Sequence, residues 1–107
     1  MPLKCIVVTR DILPAIRASV AEELNAKYGF RQKEIAKSLG VVQVAISKYI
    51  NRRYTEKIRK IKDFITVNKL NIDIVHAIVE KHEREDVKKL IETLCTNEKL
   101  LAISQTI

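Results

Sequence analysis

Four side chains of complementary chemistry lie within six residues of one another. They supply an amide, a branched apolar group, a hydroxyl and an ammonium: Gln43, Val44, Ser47 and Lys48. Residues three or four apart share one face of a helix, so this spacing gathers all four groups on a single helical surface. An amide can pair bidentately with adenine, a valine can pack on the thymine methyl, and the two polar groups can reach a base edge or a phosphate. The pattern therefore indicates a helix that contacts the edges of DNA bases.

The segment that must position this helix has the pattern of a helix-turn-helix. Ala36 is small where two helices would cross closely, and Gly40 permits the backbone of a sharp turn. Apolar residues fall where the two helices would bury surface: Ile35, Leu39, Val41, Ile46 and Tyr49. We therefore predict helices over about residues 31–38 and 42–50. The alternative is an ordinary helical hairpin with a glycine turn.

Polar and basic residues flank the predicted helices. Arg31 and Lys33 lie at the start of the first helix of the helix-turn-helix, where the positive end of that helix would help to hold a phosphate. Val42 stands where Ser, Thr or Asn usually caps the second helix, so a side-chain cap is either absent or supplied by Gln43. The predicted DNA-binding set is Arg31, Gln32, Lys33, Val42, Gln43, Val44, Ser47, Lys48, Asn51, Arg52, Arg53 and Lys57. For each side chain the alternative is a solvated surface residue.

The charge of the chain is concentrated in its first part. The 107 residues carry a net charge of +7. Residues 1–60 hold 13 Lys and Arg against 5 Asp and Glu, whereas residues 61–107 hold 7 against 8. The positive excess thus coincides with the helix-turn-helix pattern, which favours a polyanionic partner over a merely solvated basic surface.

The composition and periodicity predict an all-α fold of five to seven helices. Apolar residues make up 47% of the chain, and Gly and Pro number two each. A first helix should begin at Thr9 or Asp11 with Pro14 in its opening turn, and Gly29 should end it. Another helix should run from Thr55, its cap, to about residue 66. The apolar run over residues 3–8 predicts a short strand or an extended arm.

The second half of the chain shows two further apolar stripes and little net charge. We therefore divide the chain into a DNA-binding domain over residues 1–66 and a helical dimerisation region over residues 67–107. The residues expected to meet a second copy are Ile72, Val75, Val79, Val87, Leu90, Ile91, Leu94 and Leu101. Alternatively, these helices complete the core of the monomer.

No catalytic, metal-binding or cofactor-binding pattern emerges, and we expect no enzyme. His76 and His82 are six residues apart and would lie on different faces of a helix. Cys5 and Cys95 are far apart and form no CxxC motif. No apolar run reaches the roughly 18–20 residues that span a membrane, and no secretory signal is recognisable. These features predict a cytoplasmic protein with reduced thiols.

The run QKEIAKSLGVVQVAISKYIN resembles the Cro/lambda-repressor type of helix-turn-helix, often called XRE. The longer run from LPAIRASVAEEL through YGFRQKEIAKSLGVVQVAISKYI is similar to a group of archaeal predicted transcriptional regulators. This resemblance covers about residues 3–65. It implies DNA binding as a symmetric dimer, with Gln43, Val44, Ser47 and Lys48 at the groove. Val42 departs from the family pattern, in which a capping Thr is usual.

The expected function is therefore sequence-specific regulation of transcription, by a homodimeric repressor that reads an inverted repeat of double-stranded DNA. One alternative is a helix-turn-helix adaptor that acts through protein–protein contacts. Another is an architectural DNA-binding protein. The mixed chemistry of Gln43, Val44, Ser47 and Lys48 favours the first, because an architectural protein needs only Lys and Arg at its surface.

Overall fold

The computed structural model describes residues 6–106, and the regular structure in this range is entirely helical. A π-helical turn, Val8–Ile12, leads directly into the first of seven α-helices. These are α1 (Leu13–Tyr28), α2 (Gln32–Leu39), α3 (Gln43–Ile50), α4 (Glu56–Val67), α5 (Ile72–Val79), α6 (Arg84–Cys95) and α7 (Glu98–Thr106). The predicted all-α fold is confirmed.

The beginning of the chain differs from the sequence prediction. Ile6 to Val8 are helical, so the predicted strand is wrong for these residues, and residues 3–5 lie outside the described range. The predicted cap at Thr9 or Asp11 is also wrong, because the helix has already begun there. Asp11 is instead buried inside the π-helical turn, where its carboxylate pairs with Arg10 at 2.9 Å. Lys57 of α4 also lies 3.5 Å from this carboxylate, so ion pairs with Arg10 and Lys57 take the place of the predicted cap.

Helix α1 forms the centre of the core. Its fully buried side chains include Ile16, Val20 and Leu24, one turn apart along a single face. Helices α2, α3, α4 and α6 all pack against α1, and α7 closes the other side against α4 and the π-helical turn. The buried cluster contains Ile65 of α4 together with Val75 of α5. The segments predicted as two regions, 1–66 and 67–107, therefore share one hydrophobic core.

Left-handed residues end five of the helices. Gly29 and Gly40 follow α1 and α2 with φ of 67° and 70°, as their predicted capping roles require. After α3, α4 and α5 the same conformation is adopted by residues that carry a Cβ: Arg52, Lys69 and Lys81, with φ of 57°, 54° and 60°. In each of these three cases the next N–H bonds back to a carbonyl of the helix, at 2.8 to 3.0 Å. The hydrogen bond at each helix end thus offsets the strain that a Cβ introduces.

No helix within residues 6–106 has both the length and the apolar character that a membrane crossing requires.

Candidate nucleic-acid interface

The predicted pair of helices is present with the predicted turn between them. Helices α2 and α3 are separated by residues 40–42, and Gly40 takes the left-handed conformation. The N–H of Val41 then bonds to the carbonyl of Ala36 at 3.0 Å, which closes the end of α2. Ile35 and Ile46 are fully buried, one from each helix. Because Ile46 anchors α3 on its inner side, the opposite side of this short helix is directed outwards.

That outward side carries the four residues predicted to contact base edges, together with Val42 at the capping position. We call this set the recognition face: Val42, Gln43, Val44, Ser47 and Lys48. Val42 is 70% exposed and Val44 is 65% exposed. Gln43 and Lys48 are also exposed, and Ser47 is half-buried. The structure therefore places an amide between two solvent-facing valines, with an ammonium one turn further along the helix.

The start of α3 has no side-chain cap. Val42 occupies the capping position with extended backbone, φ −76° and ψ 152°, and no side chain accepts a hydrogen bond from the first turn. Gln43 therefore does not compensate for the valine. Amides left without an acceptor at a helix start are satisfied by water or by an incoming anion. The recognition face thus begins at an end of the helix that suits a phosphate.

Ser47 and Asn51 form a pair at the other end of α3. The Asn51 amide Nδ2 donates to the Ser47 carbonyl at 2.9 Å and to Ser47 Oγ at 3.3 Å. The Ser47 hydroxyl oxygen consequently accepts from a neighbour, and no acceptor within residues 6–106 takes its proton. Asn51 thus caps the end of the helix, a role that the sequence prediction of a DNA contact did not include.

The residues predicted to meet phosphates at the start of α2 are accessible. Arg31 and Lys33 are exposed and Gln32 is half-buried. The backbone N–H of Arg31 donates to Glu34 Oε1 at 3.0 Å, which fixes the start of the helix. Within the described residues, neither Arg31 nor Lys33 has an acidic side chain within ion-pair distance. Both cations are therefore free to approach a phosphate.

The cations that follow α3 differ in their surroundings. Arg53 is exposed, and the side chain of Arg52 is 71% exposed with its Nε 3.7 Å from Glu22 Oε1. Lys57 is less accessible, because its Nζ lies 3.5 Å from the buried carboxylate of Asp11. We conclude that Arg52 and Arg53 are better placed than Lys57 for a phosphate contact.

Sequence reasoning missed a polar cluster behind this loop, here called the Glu22 cluster: Glu22, Arg52, Tyr54 and Lys62. The Tyr54 hydroxyl donates to Glu22 Oε2 at 2.9 Å, and Lys62 Nζ donates to Glu22 Oε1 at 3.3 Å. Lys62 also stands over the Tyr54 ring, with Nζ 6.0 Å from the centroid. The sequence pattern alone predicted no role for Glu22. Its partners are 30 or more positions away, and no local pattern links them.

The Glu22 cluster changes the titration of its members. Burial, the bond to Glu22 and the negative charge of Glu22 together raise the pKa of Tyr54. Burial on its own would lower the pKa of Lys62, but the contacts of its ammonium with Asp63 and Glu22 outweigh burial and raise it. Tyr54 therefore stays a hydrogen-bond donor, and Lys62 stays a cation, well above neutral pH.

The residues predicted for dimerisation are divided between the core and the surface. Val75, Val87, Ile91 and Leu94 are buried in the core of the monomer. Val79, Leu90 and Leu101 are half-buried, and Ile72 is 40% exposed. A shallow groove lined by Leu70, Ile72 and Leu90, among others, joins α5 to α6. Any contact with a second copy through these helices must therefore use the half-buried and exposed members of the set.

Helix α6 also contacts the turn of the helix pair. A Cβ built on Gly40 would overlap the guanidinium of Arg84, the first residue of α6. A residue with a Cβ at position 40 would therefore have to displace this exposed, flexible guanidinium in addition to adopting a left-handed backbone. The second half of the chain is thereby joined directly to the element that orients α3.

Comparisons of this chain with protein-family models, with curated proteins and with solved structures found no match. Inference of a function accordingly depends on the chemistry and geometry of the residues described above.

Proposed function

We propose that this protein is a sequence-specific, double-stranded DNA-binding regulator of transcription that acts in the cytoplasm as a homodimeric repressor, without enzymatic activity. The observation that carries the proposal is the recognition face of α3. Gln43 lies between two valines that are 70% and 65% exposed, while Ile46 on the other side is fully buried. An amide flanked by apolar methyl groups suits an adenine flanked by thymines in the major groove.

The electrostatics of the same region support a nucleic-acid partner. Arg31 and Lys33 precede the turn, and Arg52 and Arg53 follow α3, so exposed cations stand on both sides of the recognition face. Phosphate contacts by such residues position a protein on the duplex, whereas base contacts supply the specificity. Binding by this surface should therefore weaken steeply as salt rises.

A dimer is part of the proposal because one short helix reads few base pairs. Two-fold dimers place their recognition helices about 34 Å apart, which is one turn of DNA. The accessible apolar residues on α5 and α6, Ile72 and Leu90, are our candidates for the contact between copies. Since most of the neighbouring apolar residues are used in the monomer core, we expect this contact to be modest in size.

A second candidate function is an adaptor that contacts another protein through the same helix. The exposure of Val42 and Val44 favours this alternative as well, because exposed apolar side chains also suit a hydrophobic groove on a partner. It predicts duplex binding that is weak and without sequence preference. The flanking cations favour DNA between the two.

Selection of bound duplexes from a random pool, at two salt concentrations, tests the proposal. The variant Gln43→Ala removes the central amide of the recognition face, and Gln105→Ala is its matched control on α7. Enrichment of an inverted repeat by the wild type and by Gln105→Ala, but not by Gln43→Ala, would support a specific dimeric regulator. Salt-sensitive binding without any enriched sequence, equal in all three proteins, would contradict it and direct attention to protein partners.

A further inference from the structure

Glu22 lies on α1, outside the helix pair, yet its carboxylate contacts the loop that follows α3. We propose that Glu22 is a positioning residue for DNA binding, which holds this loop and the guanidinium of Arg52 in place for a phosphate contact. This inference rests on the proposed function. It assigns a role in DNA binding to a negatively charged residue, although the surrounding exposed residues of the proposed surface are cations.

Three contacts connect Glu22 to the loop and to the helix after it. Oε2 accepts the Tyr54 hydroxyl at 2.9 Å, and Oε1 lies 3.3 Å from Lys62 Nζ and 3.7 Å from Arg52 Nε. Only 22% of the Glu22 side chain and 8% of the Lys62 side chain are exposed, so the contacts of Glu22 with Lys62 and Tyr54 are partly withdrawn from water. Because solvent screens them less than surface contacts, they can restrain the loop.

The loop needs such a restraint. Residues 51–55 join α3 to α4, and Arg52 takes the left-handed conformation with φ of 57°. A residue with a Cβ is strained in this conformation. The N–H of Arg53 bonds back to the Lys48 carbonyl at 2.8 Å, and the Tyr54 bond to Glu22 fixes the next residue. The two bonds together anchor the two residues that follow the strained one.

Arg52 is oriented by Glu22 without being withdrawn from solvent. The contact to the carboxylate is made through Nε, and 71% of the side chain is exposed. An arginine that is oriented by one carboxylate loses less conformational entropy when it binds a phosphate. Glu22 should therefore increase the affinity for DNA although its charge is repelled by the phosphates.

The sign of a charge-neutralising substitution separates this role from a simple electrostatic one. If Glu22 were only a negative charge near the interface, Glu22→Gln would strengthen binding, because the surface would become more positive. If Glu22 positions the loop, Glu22→Gln weakens binding despite the gain in net positive charge. Tyr54→Phe removes the hydrogen bond from the Tyr54 hydroxyl to the same carboxylate and leaves the net charge unchanged.

The experiment measures the Kd of four proteins: the wild type, Glu22→Gln, Tyr54→Phe and Glu80→Gln. The ligand is sheared genomic duplex DNA and, where selection yields one, the enriched duplex. Glu80 is an exposed carboxylate at the end of α5 and serves as the matched charge control. We expect Glu22→Gln and Tyr54→Phe each to weaken binding about fivefold, because a side chain of the loop that is no longer held must be ordered when DNA binds. Glu80→Gln should bind as tightly as the wild type or slightly more tightly. In the Glu22→Gln background, Arg52→Ala should cost less affinity than it costs in the wild type.

Tighter or unchanged binding by Glu22→Gln, or unchanged binding by Tyr54→Phe, would overturn the inference while leaving the proposed function intact. A wild type that binds no duplex would instead overturn the proposed function, and this inference with it. Circular dichroism of each variant verifies that it is folded. If Glu22→Gln does not fold, Tyr54→Phe decides the question by the same criterion.

Discussion

Alanine at position 40 is predicted to destabilise the protein more than alanine at position 29, although both glycines end a helix in the same conformation. Gly40 has φ of 70° and Gly29 has φ of 67°, so the backbone strain added by a Cβ is nearly equal at the two sites. Their surroundings differ. A Cβ at Gly29 would meet no heavy atom within 4 Å, whereas a Cβ at Gly40 would overlap the guanidinium of Arg84. Gly29→Ala is therefore a matched control for Gly40→Ala.

The magnitudes follow from these two effects. A Cβ in the left-handed region costs roughly 1–2 kcal/mol, and this should be the whole effect of Gly29→Ala. Gly40→Ala should cost about 0.5 kcal/mol more, because the exposed guanidinium of Arg84 must move away from the turn and a flexible surface side chain does so at small cost. In an Arg84→Ala background the overlap is absent, and the cost at position 40 should fall to the value found at position 29.

Chemical and thermal unfolding followed by circular dichroism measure these differences. For a chain of this length, each 1 kcal/mol should lower Tm by about 4–8 °C. Equal destabilisation by Gly29→Ala and Gly40→Ala would refute the Arg84 contact. A neutral effect of either substitution would refute the left-handed assignment at that glycine.

Four further predictions address other parts of the molecule. Lys69→Gly should raise stability by about 0.5–1 kcal/mol in urea unfolding, because glycine removes the strain at φ of 54°, and any loss of stability would contradict this account. Thr55→Ala should cost about 1 kcal/mol, since Thr55 Oγ1 accepts the N–H of Ile58 at 3.2 Å, and an unchanged Tm would exclude a capping role. Burial raises the pKa of the Cys95 thiol, so the unfolded chain releases this proton first and stability should fall above about pH 8.5. When Cys5 is replaced by Ser in both proteins, the loss of stability at alkaline pH should be smaller for Cys95→Ala than for the protein that keeps Cys95. Identical profiles of stability against pH would contradict this prediction. Lys33→Ala should reduce the slope of log K against log salt by about 1 without changing which duplex is preferred, and a changed preference would exclude a pure phosphate contact.

The features that the sequence predicted correctly depend on local chemistry. Gly29 and Gly40 end their helices, and Thr55 caps α4, because these roles depend on the backbone preferences of one residue and its immediate neighbours. The outward face of α3 follows from helical periodicity, with Ile46 buried and Val44 exposed. Such patterns are contained in short stretches of sequence and need no knowledge of the tertiary fold.

The features that the sequence did not reveal depend on contacts between distant segments. Asp11 was expected to cap a helix, but it is buried, and its carboxylate lies 3.5 Å from the ammonium of Lys57 of α4. Glu22 acquires its role from Tyr54 and Lys62, which follow it by 32 and 40 residues. The division of the apolar stripes of α5 and α6 between core and surface likewise depends on how those helices pack, which periodicity alone does not determine.

The chemical shifts of the backbone amides of the isotope-labelled protein, followed by NMR during titration with duplex DNA, would show where on the protein the duplex binds. We predict that the largest shifts occur at residues 31–33, 42–48 and 51–53, and that they diminish as salt is added. Shifts confined to residues 72–101, or no shifts at low salt, would contradict the assignment of α3 and its flanking cations as the DNA-binding surface.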